Sequence, residues 1–164
     1  MPRISTRAVV WAALLWWLAL LALLALTFFV LRPEGAGAVL DSRVLGYSTT
    51  DVQAYLAGVT EAGRWQLLHS LRVMDAIFPP LLTFALLRLM AGLRGIARGL
   101  WLLPLVYCGL DWAENQVVAG IIQSGVADDK TVALASLLTV AKYAFVLASL
   151  LAVAGIWLRK RRVA

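Results

Sequence analysis

The stretch Leu102–Ile122 reads LLPLVYCGLDWAENQVVAGII: two carboxylates, Asp111 and Glu114, sit three residues apart in the middle of an apolar run. At about 100° per residue, Pro104, Tyr107, Cys108, Asp111, Glu114, Asn115 and Val118 fall on one helix face. The run is long enough to cross a hydrocarbon core about 30 Å thick, which takes about 20 residues. Arg72, Asp75 and Lys142 are placed in the same way within other apolar runs. An isolated charge at the centre of a bilayer costs about 2.5–3.5 kcal/mol. Five of them would cost on the order of 12–17 kcal/mol, more than most folds can spare. The expectation is therefore that these side chains meet inside a helix bundle.

Composition agrees with a membrane setting. The chain has 164 residues, of which 62% are apolar and 15% charged, against about 45–50% and about 25% for a soluble domain. Four runs qualify as spans, at about 8–31, 65–87, 96–122 and 131–158, with a polar segment 32–64 after the first. The fold expected is all-α: a single-domain four-helix transmembrane bundle with one short extracytoplasmic amphipathic helix between the first two spans. The segment Ala8–Leu31 could also be read as a signal peptide, but its run of about 24 apolar residues exceeds the roughly 7–15 of such segments.

Nine of the fifteen basic residues fall on one side: Arg3, Arg7, Arg88, Arg94, Arg98, Arg159, Lys160, Arg161 and Arg162. Glu34, Asp41, Asp51, Glu61, Asp128 and Asp129 fall on the other. The positive-inside rule then puts both termini in the cytoplasm of a bacterial plasma-membrane protein. The basic tail directly follows a span, so it reads as a topology anchor and not as a nucleic-acid patch. Thr50 and Gln53 match a capping box, and Val52, Tyr55, Leu56 and Val59 recur at helical spacing. An interfacial helix is expected from about Asp51 to Ala62, with Gly63 at its end.

Arg64, Leu68, Arg72 and Asp75 group within about an 80° arc of the second span. Arg72 and Asp75, at i,i+3, are spaced to pair. Pro79 and Pro80 follow, so a kink is expected, with freed carbonyls near Asp75 and Ala76 seeking partners elsewhere. Three acids (Asp75, Asp111, Glu114) face two bases (Arg72, Lys142) at depth, with His69 nearer the outer surface. That imbalance leaves at least one proton on the acids if His69 is neutral. Thr139 and Ser149 share the side of Lys142, whereas the first span carries no polar stripe and is suited to lipid or a partner.

Such a centre suits an intramembrane acid–base enzyme acting on a lipophilic substrate, an isoprenoid or lipid. The candidate catalytic residues are Asp75, Asp111, Glu114, Asn115, Lys142 and Arg72, with Arg64, His69 and Tyr107 secondary. No cofactor or metal is expected, because the single histidine and single cysteine (Cys108) lie far from ligand spacing. A small proton-coupled transporter acting as an oligomer is one alternative. A non-catalytic accessory subunit docking through the first span is another, and a purely structural ion-pair network a third.

Tyr55-Leu56, Gly63-Arg64, Asp75-Ala76-Ile77-Phe78-Pro79, Asp111-Trp112-Ala113-Glu114-Asn115 and the Thr139/Lys142 pair together resemble a group of small four-span bacterial membrane proteins. The resemblance covers about 90 residues and implies a fold but no activity. Carboxylates with an asparagine in a four-span bundle are also loosely similar to sterol-isomerase-type membrane enzymes, although the spacing differs.

Overall fold

A computed structural model describes residues 39–91 and 98–163; the expected first span, 8–31, lies outside the described residues. Those described are all-α. A 3-10 turn, Leu40–Ser42, leads into α1 (Thr49–Gly58). Next comes α2 (Glu61–Ala91), whose course includes one π-helical turn at Leu67–Leu71. A second 3-10 turn, Arg98–Trp101, opens α3 (Leu102–Ser124), and α4 runs Asp129–Val163. Two stretches, Glu61–Ala91 and Asp129–Gly155, are long and apolar enough to cross a bilayer. α3 packs chiefly on α4 and also on α2.

The helix ends follow local chemistry. The Ser48 hydroxyl accepts from Asp51 N, and Asp51 Oδ2 accepts from Ser48 N at 2.7 Å, so the capping box is Ser48/Asp51 and not Thr50/Gln53. An aspartate at the third helical position supplies a charged acceptor that Gln53 cannot match. These hydrogen bonds hold the Asp51 carboxyl below its ordinary value of 3.8. α1 also stops earlier than expected, at Gly58, because Val59 turns extended. Thr60 then caps α2 by accepting from Gly63 N at 3.0 Å, which places Gly63 in the first turn of α2 and not at the end of α1. At the same end of the bundle, α3 closes on Gly125 in the left-handed region (φ 69°), beside the Arg64 side chain. Asp128 Oδ1 accepts from Lys130 N and Thr131 N to start α4.

From that end, the segment Val39–Tyr47 does not stay beyond the helix ends but descends along α4. Thr49 donates to Asp129 at the start of α4, Tyr47 N donates to Ser136 Oγ at 2.9 Å, and Tyr143 OH donates to Asp41 O at 3.1 Å. Tyr143 lies 14 residues beyond Asp129, so the segment reaches about 20 Å down the helix at about 1.5 Å per residue. Leu40, Tyr47, Val52 and Tyr55 bury against Ile121, Val132 and Ala135. α1 is therefore packed on the bundle through Val52 and Tyr55.

Candidate functional site

The site is built from facing turns of α3 and α4. α3 presents Asp111 and Glu114 on adjacent turns, and α4 presents Lys142, with all three side chains buried. Lys142 Nζ lies 3.0 Å from Asp111 Oδ1 and also pairs with Glu114 Oε2. Glu114 is fully enclosed, and its second oxygen meets the Thr139 hydroxyl, itself one turn before Lys142. Thr139 also lies 3.0 Å from Ala135 O. The expected convergence of acids and a base from separate helices is thus present for Asp111, Glu114 and Lys142.

Asn115 connects this triad to α2. Its side-chain NH2 donates to Asp111 Oδ2 at 3.0 Å and to Asp75 O at 3.4 Å. The second contact has a backbone origin. Pro79 has no N–H to offer the carbonyl four residues earlier, so Asp75 O lacks its intrahelical donor and Asn115 takes the place. α2 stays helical through both prolines, with its hydrogen-bond ladder interrupted there.

Asp75 lines a cleft of about 50 Å³ together with Asp41, Arg72 and Asn115. Apolar walls come from Leu67, Leu71, Val118 and Ile122 among others. At about 10–15 Å³ per water position, the space holds a few waters or the end of a larger molecule.

Three expected members make their polar contacts elsewhere. Arg72 does not pair with Asp75: its guanidinium donates to Gln116 Oε1 on the exposed side of α3. Arg64 donates to Ile122 O at 2.9 Å, capping the C-terminus of α3, where a positive charge meets the negative end of the helix dipole. His69 Nδ1 lies 2.9 Å from Trp65 O, one turn back on its own helix, and the ring stacks on Trp65. The π turn between Arg64 and Arg72 adds a residue to one turn, so a regular 100° wheel misaligns Arg64 against Arg72 and Asp75; those two both follow it, and Arg72 is drawn away from Asp75 by the Gln116 side chain. Tyr107 is buried one turn before Asp111, on the same face.

Two members were missed. Asp41, from the segment before α1, comes within 4.0 Å of Lys142 Nζ. Tyr47 is buried beside Thr139, and burial pushes its phenol up to about 12. Both lie in a stretch whose polarity reads as external, and no periodicity marks a segment that folds back along a helix. Among the described residues no group of three or more His, Cys, Asp or Glu side chains is arranged to hold a metal ion. The chain matches no protein-family model, no curated protein and no solved structure.

Proposed function

We propose that this chain is a four-span bacterial plasma-membrane protein, with both termini cytoplasmic and α1 on the outer side, that performs acid–base chemistry on the reacting end of a lipophilic molecule. The carrying observation is the chain of contacts Asp75 O–Asn115–Asp111–Lys142–Glu114, which ties the backbone of a cleft-lining acid to a buried ionic cluster. A mostly apolar cleft with a few converging polar groups is the usual form of a small-molecule site. Its size supports entry of a double bond or polar terminus while the tail stays in lipid.

Proton inventory supports the same reading. Asp41, Asp111 and Glu114 surround a single ammonium, so a proton among them brings the cluster nearer neutrality. Thr139 has one hydroxyl proton and two acceptor-type neighbours, Glu114 Oε1 and Ala135 O. A proton on Glu114 lets both contacts be hydrogen bonds. In the proposed cycle Asp75 gives a proton to, or takes one from, the substrate carbon or oxygen in the cleft, Asn115 holds the geometry, and the Lys142 cluster sets the local field.

The test is deuterium transfer. Purified protein in vesicles of bacterial lipid extract, held in D2O, should introduce deuterium at carbon positions of one lipid or isoprenoid component, read by mass spectrometry. Asp75→Asn should abolish that incorporation. No incorporation above protein-free vesicles, across extracts that include isoprenoid lipids, refutes the enzyme reading. A second reading, a proton-coupled oligomeric carrier, is favoured by the water-scale size of the cleft. It predicts instead that an imposed pH gradient collapses through the protein, followed with an entrapped pH dye.

A further inference from the structure

Asp41 belongs to no spanning helix, yet it shares Lys142 with the two buried carboxylates. We propose that Val39–Tyr47 is a gating strap: it covers the Lys142 centre on the side of the α3–α4 turn, with Asp41 as its latch and Gly46 as its close-contact point.

The strap has the geometry of a cover. Val39, Leu40 and Asp41 form one wall of the cleft whose other walls hold Asp75 and Asn115. Tyr47, itself buried, is tied through its N–H to Ser136 Oγ, one turn before the Thr139 that meets Glu114. Gly46 adopts φ +87° and passes so near α4 that a Cβ there would stand 2.6 Å from Ser136 Oγ. Lifting Val39–Tyr47 would therefore join the cleft to the ionic centre.

The contacts are also of a kind that can open and close. The Asp41–Lys142 pair, at 4.0 Å, is the longest of the three on Lys142, and the Asp41 side chain is one-third exposed. When it leaves, Lys142 keeps Asp111 and Glu114, so no charge is stranded in the core. Beyond that pair, the strap is held by Tyr143 OH on Asp41 O, by Ser136 Oγ on Tyr47 N, and by the buried side chains of Leu40 and Tyr47. Val44 and Leu45 between these anchors are exposed. Non-helical backbone at this depth is tolerated where protein or a water-lined cavity surrounds it, and the cleft supplies the latter. The inference rests on the acid–base reading for what would pass, but the gate itself is testable without any activity.

The experiment places a reporter beneath the strap: Thr139→Cys in a Cys108→Ala background, labelled with a trimethylammonium methanethiosulfonate reagent in detergent micelles. Asp41→Asn and Gly46→Leu in that background should each raise the labelling rate at least tenfold. In parallel, hydrogen–deuterium exchange on the otherwise wild-type chain carrying Asp41→Asn should accelerate in peptides covering 39–48 while α3 and α4 peptides keep their rates. Unchanged labelling in both variants overturns the proposal. So does acceleration of α3 and α4 in step with 39–48, which would make the strap a pillar of the fold. Should Gly46→Leu fail to fold, Asp41→Asn with the exchange profile decides alone. A strap that opens while no lipid takes up deuterium would sink the enzyme reading and leave the gate standing.

Discussion

Replacing Lys142 with methionine removes the one cation that Asp111 and Glu114 share. At 3.0 Å and an effective dielectric near 20, the Lys142–Asp111 contact carries about 5–6 kcal/mol of Coulomb attraction before desolvation is subtracted. Taking one partner from a buried pair typically costs about 3–5 kcal/mol, because a charge is left uncompensated. We expect Lys142→Met to lower the unfolding free energy by about 3 kcal/mol, the low end of that range, since the stranded carboxylates can take up protons. Neutralising them as well, with Asp111→Asn and Glu114→Gln in the same chain, should return most of the loss, because no charge then remains enclosed. The assay is reversible unfolding in mixed micelles at neutral pH, run as a mutant cycle so that coupling between α3 and α4 is read directly. If Lys142→Met sits within about 0.5 kcal/mol of the parent, or the triple variant is no more stable than the single one, the shared-cation account is wrong.

Asn115→Ala should cost about 1–2 kcal/mol by leaving Asp75 O without a donor. Adding Pro79→Ala, which restores the backbone N–H, should recover part of that loss in the same unfolding assay. Arg64→Ala should cost about 1–3 kcal/mol and speed amide exchange in the last turn of α3, with α2 exchange unchanged. Gly125→Ala forces a Cβ into the left-handed region and against the Arg64 guanidinium, and should cost about 1–2 kcal/mol in the same assay. Asp51 and Asp128 both titrate below their ordinary 3.8, the first through Ser48 and the second through Thr131. Their contribution is complete above the unfolded value and fades as pH falls through the lower folded one. The thermal midpoint should therefore drop on acidification below about 4, and drop less in Asp51→Asn and Asp128→Asn chains.

Some of this was legible in the residues alone and some was not, for physical reasons. The expected second and fourth runs, 65–87 and 131–158, fall inside α2 and α4, whereas of the expected 96–122 only the part from Leu102 is α3, after a 3-10 turn at Arg98–Trp101. Asp111, Glu114 and Lys142 meet as charge burial demands. The freed carbonyl at Asp75 was also foreseeable from Pro79, although its partner, Asn115, was not. The single arc expected for Arg64, Leu68, Arg72 and Asp75 is broken by a π turn that nothing in Leu67-Leu68-His69-Ser70-Leu71 announces, whereas the expected Arg72–Asp75 pair, wholly beyond that turn, gives way to Arg72–Gln116. Asp41 was hidden for a different reason. A polar connection is read as lying beyond the helix ends, and only tertiary contacts reveal one that folds back along them.

The short Gly125–Asp128 connection between α3 and α4 bears on how such a chain could be made. On the four-span reading, synthesis delivers Asp111 and Glu114 to the membrane before the residue that neutralises them has left the ribosome. On that reading α3 would not settle alone into hydrocarbon and would enter with α4 as one hairpin. Truncation just after Ser124 should then leave the preceding helix uninserted and open to quality-control proteolysis.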